Sequence, residues 1–268
     1  MIKFFRRIRQ NLIVENRFSK YLLYAIGEII LVVIGILLAL QFNNWNIERE
    51  NSTKERWYLI NIVEDIEYQK EHLKDIKSHY EQSIATAKSL LKEYRKLKSF
   101  AKMDSLNFRL NLIMIVENFP NTNNTYLELV NSGQQTLISD KDLSIDIIDY
   151  YLFCEDNYIN MKNNNDNVFY KEIHPVLYGL HQTILSEIKL SGEENFLRME
   201  DAKTQEYLRQ KLETPENTLR LINALKNSIL INSLHLEMVK ETQEAGIDLI
   251  KKIDAYLGLT PDMVNHYN

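Results

Sequence analysis

YLLYAIGEIILVVIGILLALQF, residues 21–42, is an apolar run of 22 residues with one ionisable side chain, Glu28. As a helix it reaches about 33 Å at about 1.5 Å per residue, enough to cross a bilayer core of about 30 Å. The flanks orient it. Lys3, Arg6, Arg7, Arg9, Arg17 and Lys20 precede the run against the single acid Glu15, whereas Glu48, Arg49, Glu50, Lys54, Glu55 and Arg56 follow it and nearly cancel. A short flank rich in Lys and Arg stays cytoplasmic, so the expectation is a cytoplasmic N-terminus and an exported C-terminal bulk. A cleaved signal peptide is the competing reading. The basic lead-in is long for one, Leu37 and Ala39 fail the small-x-small cleavage pattern, and the one cysteine, Cys154, does not follow the run as a lipidation site would. An uncleaved signal anchor in the inner (plasma) membrane is expected. The chain then divides into a basic cytoplasmic tail (1–20), a transmembrane helix (21–42) and a periplasmic helical-bundle domain (43–268).

Charge narrows the partners. Residues 1–20 carry net +5 and the whole chain −5 with His neutral, which leaves −10 for residues 21–268. An acidic exported domain disfavours nucleic acid and anionic lipid surfaces. A single cysteine allows no intrachain disulfide, so stability must come from burial.

Glycine and proline number 7 and 4 among 268 residues, few enough to predict long helices. Leu59, Ile66, Leu73, Tyr80, Ala87 and Tyr94 recur every seventh residue, and Ile62, Ile76, Leu90 and Leu97 fill a second seam with Gln69 and Ser83 as polar exceptions. A second stripe places Ile222, Ile229, Leu236, Ile250 and Leu257 on one seam, broken by Gln243. Leu225, Val239 and Ile253 share the other seam, broken by Asn232 and Gly246. Both are a/d heptad patterns, and the two long helices are expected to pair antiparallel in an all-α bundle. Thr214 and Pro215 should open the second long helix, and Gly258 with Pro261 should close it.

Between them the pace is shorter. Asp104 is the expected cap of a helix carrying Leu106, Leu110 and Ile113 that ends before Pro120. Residues 121–124 read as a loop, and 125–132 as a short helix stopped by Gly133. Ser139 or Asp140 starts a helix with apolar positions at Ile147, Tyr151, Cys154, Tyr158, Met161, Val168 and Ile173. Asn163, Asn164 and Asn165 lie within that spacing and read as a solvated face, with a break or kink at Pro175. Helices are expected over 176–189 and near 202–212, joined by a polar connection from Ser191-Gly192.

Phe4-Phe5-Arg6-Arg7-Ile8-Arg9, Tyr24-Ala25-Ile26-Gly27-Glu28-Ile29, Gly35-Ile36-Leu37-Leu38-Ala39-Leu40 and Asn43-Asn44-Trp45-Asn46 resemble the N-terminal signature of a family of uncharacterised single-pass inner-membrane proteins of Gram-negative bacteria, a domain of unknown function. Residues 125–129, Ser132-Gly133, Leu137-Ile138 and Asp142-Leu143 resemble that family's second, more variable block. The resemblance implies an inner-membrane protein with a periplasmic helical domain and brings no catalytic residues and no cofactor.

The candidate site on the membrane helix is one face. Ala25, Glu28, Val32, Gly35 and Ala39 are spaced three and four apart, so small residues and one carboxyl group line a surface suited to close helix contact. A lone charge facing lipid costs at least about 2.5–3.5 kcal/mol, which favours pairing, protonation or snorkelling of Glu28 toward the headgroups. Tyr21, Tyr24 and Trp45 read as interfacial anchors.

Other constellations fail on spacing. His72, Asp75 and His79 share a helix side, but histidines seven apart are separated by about 10 Å of helix, too far for one metal ion. The same holds for His174 and His181. Residues 140–151 begin like a calcium loop, yet Ile145 and Tyr151 stand where Gly and Glu are required. Cys154 sits on an apolar stripe and reads as a buried small hydrophobe, not a nucleophile. With no catalytic motif and no cofactor or metal site expected, the reading is a non-enzymatic membrane-tethered scaffold or interaction protein. Its expected partners are the lipid bilayer and either copies of itself or another membrane protein. The alternative is a periplasmic ligand-sensing module lined by Tyr150, Tyr151, Tyr158 and Tyr170 that signals through a membrane partner, since about twenty cytoplasmic residues cannot hold an output domain.

Overall fold

The computed structural model describes residues 18–182 and 202–259. The basic tail up to Arg17, the second half of the helix expected over 176–189, Ser191-Gly192 and Pro261 lie outside them; in the first half the helix already ends at Gly179. The described residues form helices and connections with no strand. In chain order these are α1 (Phe18–Leu97), α2 (Leu106–Met114), α3 (Asn124–Asn131), a single 3₁₀ turn (Gln135–Leu137), α4 (Lys141–Asn164), a π-helical stretch (Asn165–Ile173), α5 (His174–Gly179), α6 (Ala202–Glu213) and α7 (Pro215–Leu257). By contacts the chain divides into a unit of residues 1–57 and one of residues 58–268.

In the first unit, α1 carries an 18-residue window of mean hydropathy 2.5 with none of its residues buried, long and apolar enough to cross a membrane. A Cβ added at Gly27 or Gly35 meets no atom within 4 Å.

In the second unit, every a/d position of α1 from Leu59 to Leu90 is buried, the polar Gln69 and Ser83 included. The stripe ends there, with Tyr94 half-buried and Leu97 exposed. α7 pairs with it antiparallel. Asn232 Nδ2 donates to Ser83 Oγ at 2.9 Å, and the His235 ring lies 5.4 Å from that of Tyr80. Gln243 Nε2 donates to the Lys70 carbonyl at 3.3 Å, and Gly246 abuts Ile66. As the α7 number rises, the α1 number falls. α4 completes a triangle. Ile147, Tyr150, Tyr151, Cys154 and Met161 join Ile62, Ile66, Leu73, Val239, Leu249 and Ile253 in one core. Beyond it, Phe100, Leu110, Ile113, Phe169, Ile173, Leu177, Leu221 and Leu225 surround Ala87 and Leu90 in a second.

Helix ends follow local chemistry in most places. Thr214 Oγ1 accepts from the Asn217 N–H, Pro215 occupies the first turn, and Gly258 closes α7 at φ 66°. Asp140 caps α4 by accepting from the N–H groups of Asp142 and Leu143. α3 borrows its cap from another helix, for the Thr125 N–H donates to Asp65 Oδ2 of α1 at 3.0 Å. A carboxylate there also meets the positive end of the helix dipole. Arg109 fastens α2 to α1, donating to Glu93 at 2.6 Å and to Ser89 at 3.0 Å.

Two local expectations are corrected and a third is narrowed. Asp104 does not cap α2; Ser105, at φ 56°, precedes the helix and its side chain makes no cap bond. Asn163 is exposed as expected, but Asn165 is buried and donates to the Glu117 carbonyl at 3.0 Å, so the asparagine run turns inward. Of the break or kink expected at Pro175, the structure shows no break. The proline lacks an N–H and its ring crowds the carbonyl four residues back. The widened π stretch before it, in which the His174 N–H reaches back five residues to the Phe169 carbonyl, lets the helix continue.

Candidate functional site

Polar side chains are set in rungs inside the triangle of α1, α4 and α7. At one level Tyr150 OH donates to Gln69 Oε1 and Gln69 Nε2 to the Pro120 carbonyl, both at 2.6 Å, with Cys154 Sγ 3.8 Å from Nε2. Next, Asn157 Nδ2 donates to Thr242 Oγ1 at 3.0 Å. Then Asn164 Nδ2 meets His235 Nε2 at 3.3 Å, and Asn232 bridges Ser83 and Ser228. A buried polar group left unpaired costs about 1–3 kcal/mol, so each rung is satisfied at one helix register and penalises the neighbouring ones.

These groups are held neutral. Burial pushes the fully enclosed His235 imidazole down to about 4 and the Cys154 thiol up to about 11. It also drives the Tyr80, Tyr150 and Tyr151 hydroxyls above the ordinary phenol range. The His235 Nδ1, Asn165 Oδ1 and Tyr151 hydroxyl have no hydrogen-bond partner among the described residues. A thiol with so high a pKa is a poor nucleophile, and a histidine neutral well below pH 7 with no carboxylate beside it is a poor proton relay. The arrangement fixes position.

Sequence reasoning found only part of this spine. Gln69, Ser83 and Asn232 stood out as exceptions on apolar seams. Ser228, His235 and Thr242 did not, although they recur every seventh residue between Leu221 and Leu249, and all five are buried. That spacing was the available signal.

Of the residues proposed for helix contact, Ala25 and Glu28 are half-buried, while Val32, Gly35 and Ala39 are exposed, as is Trp45. The side chains of Tyr21 and Tyr24 lie outside the described residues. The histidine pairs take up backbone contacts. His72 Nδ1 lies 2.9 Å from the Tyr68 carbonyl, His79 Nε2 3.0 Å from that of Ile115, and the buried His181 Nδ1 3.1 Å from that of Leu177. His174 stacks on Tyr178 with ring centroids 5.7 Å apart. Among the described residues no three His, Cys, Asp or Glu side chains converge as metal ligands do. Of the four tyrosines, Tyr150 and Tyr151 are buried in the core, Tyr158 is half-buried and Tyr170 is exposed.

No curated protein and no solved structure matches the chain. A family of unknown function (DUF6090) matches residues 28–182, from Glu28 in the apolar helix through α4 and α5 to the residue after His181. The match takes in the Gly35–Leu40 and Asn43–Asn46 segments and the block around residues 125–143, and leaves out α7, which closes the same core. With more than half of the 268 residues matched, the chain belongs to this family of unknown function.

Proposed function

We propose that this chain is a membrane-tethered helical scaffold that acts through protein contacts, single-pass in the inner membrane of a Gram-negative bacterium. Its N-terminus is cytoplasmic, its helical domain periplasmic, and it has no catalytic activity of its own. The observation that carries the reading is the unburied apolar window of α1, in one helix with the a/d stripe that builds the core of the second unit. The lysine and arginine bias of residues 1–20 supports the orientation. The neutral, mutually bonded rungs support a domain built to hold shape.

The tests are topology and capture. A periplasm-dependent reporter fused after residue 268 should be active and one fused at the N-terminus silent; the reverse pattern overturns the orientation. Affinity capture from detergent-solubilised membranes should recover a stable partner or other copies of the chain, and repeated recovery of the chain alone as a monomer overturns the scaffold role. One feature favours a ligand-sensing reading, a cavity of about 240 Å³ walled by Phe100, Met103, Phe108, Leu208, Arg209 and Leu212. Thermal-shift screening against periplasmic extract separates the two: stabilisation favours sensing, and none leaves the scaffold.

A further inference from the structure

We propose that copies of this chain assemble side by side, the outer ridge of α4 in one copy seated in the lysine-lined groove between α1 and α7 of the next. The proposal rests on the scaffold reading only in taking the chain to act through protein contacts.

The ridge is the back of α4. Ile145, Leu152 and Ile159 are 55 %, 57 % and 44 % exposed and recur every seventh residue, on the face opposite the buried row of Leu143, Ile147, Cys154 and Met161. They run along about 21 Å of helix at about 1.5 Å per residue. Beside them Asp142, Asp149 and Asp156 are also exposed and also seven apart. Large aliphatic side chains in line along an acidic margin form a surface that a basic, partly apolar groove complements.

The same molecule has such a groove. Lys70, Lys74 and Lys77 of α1 and Lys240 of α7 line a cleft of about 420 Å³ with Ile247, against only two acids, Glu71 and Glu244. Lys74 pairs with Glu71 at 3.6 Å and Lys70 with Glu67, which leaves the groove a cationic surplus. In a triangle of helices the groove between two lies on the far side from the third, so ridge and groove face opposite ways.

Their heights agree. The Gln243–Lys70 contact sets Lys70 within about one turn of Lys240, and the Gln69–Cys154 and Asn157–Thr242 contacts put both within about one turn of Asp156, with Ile247 near the level of Leu152. A second copy moved sideways without axial slip therefore brings the Asp156 carboxylate to Lys70 and Lys240 and Leu152 to Ile247. A heterologous contact whose two faces point opposite ways repeats by translation and extends as an open row in the membrane plane. Copies of one topology in one bilayer share an up–down sense, which this contact accepts. The competing contact, ridge against ridge with helices parallel, sets Asp149 beside Asp149 and Asp156 beside Asp156, like charges opposed.

The test uses the full chain in its native membrane. Asp156→Cys combined with Lys240→Cys should give a ladder of linked copies under mild oxidation, while Asp156→Cys alone gives none, Cys154 being buried. Reversing charge on one side, Lys70→Glu with Lys74→Glu and Lys240→Glu, or Asp149→Lys with Asp156→Lys, should cut the linked or cosedimenting fraction about tenfold, the scale expected when a few surface ion pairs become repulsions. Combining both reversals in one chain should restore it, which a folding defect would not do. Mixing the two reversed chains should restore assembly in alternating order, since the Asp ridge of one meets the Lys groove of the other and the Lys ridge of the second meets the Glu groove of the first. Linkage through Asp156→Cys alone, no linkage in the double variant, or association indifferent to both reversals overturns the proposal. A monomeric chain that captures a different protein overturns it as well, and leaves the scaffold reading standing.

Discussion

Gly246→Ala should destabilise the domain even though it replaces glycine inside a helix. Gly246 is where α7 comes close to both α1 and α4. A Cβ there would sit 2.9 Å from Ile66 Cγ2 and 3.2 Å from the Tyr150 hydroxyl oxygen. Neither neighbour can step aside cheaply. Ile66 is β-branched and 1 % exposed, and the Tyr150 hydroxyl is held by Gln69 at 2.6 Å. Helix propensity favours alanine over glycine by about 0.8–1.0 kcal/mol, whereas overpacking a filled core costs about 1–3 kcal/mol. With two anchored neighbours the cost falls in the upper part of that range, for a net loss of about 1–2 kcal/mol.

Gly179→Ala is the matched control. Its Cβ meets no atom within 4 Å and its φ is not left-handed, so it should gain up to about 1 kcal/mol. Thermal unfolding of the full chain in micelles, followed by helical circular dichroism, reads the two as midpoint shifts of opposite sign, about 2–4 °C per kcal/mol. Ile66→Ala removes the clashing methyl. On that background the Gly246→Ala penalty should shrink by at least about 0.5 kcal/mol. A raised midpoint for Gly246→Ala, or additive behaviour with Ile66→Ala, refutes the account of this contact.

The His235 imidazole titrates near 4 when folded and near the ordinary 6.5 when unfolded, so between those values the unfolded chain binds the extra proton. Stability from this group is full above pH 6.5 and is lost as pH falls toward 4, by about 3 kcal/mol in all; His235→Gln should flatten that limb in a pH series of unfolding midpoints. The groups that face the ring are the uncharged Tyr80 and Asn164, so no nearby charge offsets the loss. Cys154, buried and with its thiol pushed up to about 11, should resist a thiol reagent at pH 8 in the folded chain and react on unfolding; ready labelling of the native protein would contradict its place in the core. In a reporter of transmembrane association, Gly35→Leu should weaken the signal more than Glu28→Leu, since hydrogen bonds between membrane helices average only about 0.6 kcal/mol, and Ile30→Leu should change little. Equal signals from wild type, Gly35→Leu and Ile30→Leu would show that the face is not a contact.

What could be read from the residues depended on whether local pattern or tertiary contact sets the outcome. The α1 stripe was legible because its core positions are almost all apolar at one period. On α7 the seam of Leu225, Asn232, Val239, Gly246 and Ile253 is buried throughout, but the seam of Ile222, Ile229, Leu236, Gln243, Ile250 and Leu257 is half-buried everywhere except at Ile250. Its place in the core is taken by Leu221, Ser228, His235, Thr242 and Leu249. Counting apolar residues passes over a core row in which three of five members are polar. Caps made within one segment, Thr214 and Asp140, were legible. The cap that Asp65 supplies across 60 residues was not, because its partner is fixed by packing. The π stretch was equally hidden: Pro175 announces a disturbance, and only the packing of Phe169 and Ile173 into the second core shows that the helix persists through it.

The polar rungs connect that core to the outer surface. Apolar heptads are nearly interchangeable, and a bundle of Leu, Ile and Val alone tolerates a shift of one heptad at modest cost. Gln69 with Tyr150, Asn157 with Thr242 and Asn232 with Ser83 do not tolerate it, because a slip leaves donors and acceptors unpaired in the interior. A heptad is about 10 Å of helix, so the same slip would carry Asp156 away from the level of Lys70 and Lys240 by about that distance. The match in height between ridge and groove is thus set by hydrogen bonds buried between them. A substitution that loosens a rung, such as Asn157→Leu, should therefore impair side-by-side assembly without touching either surface.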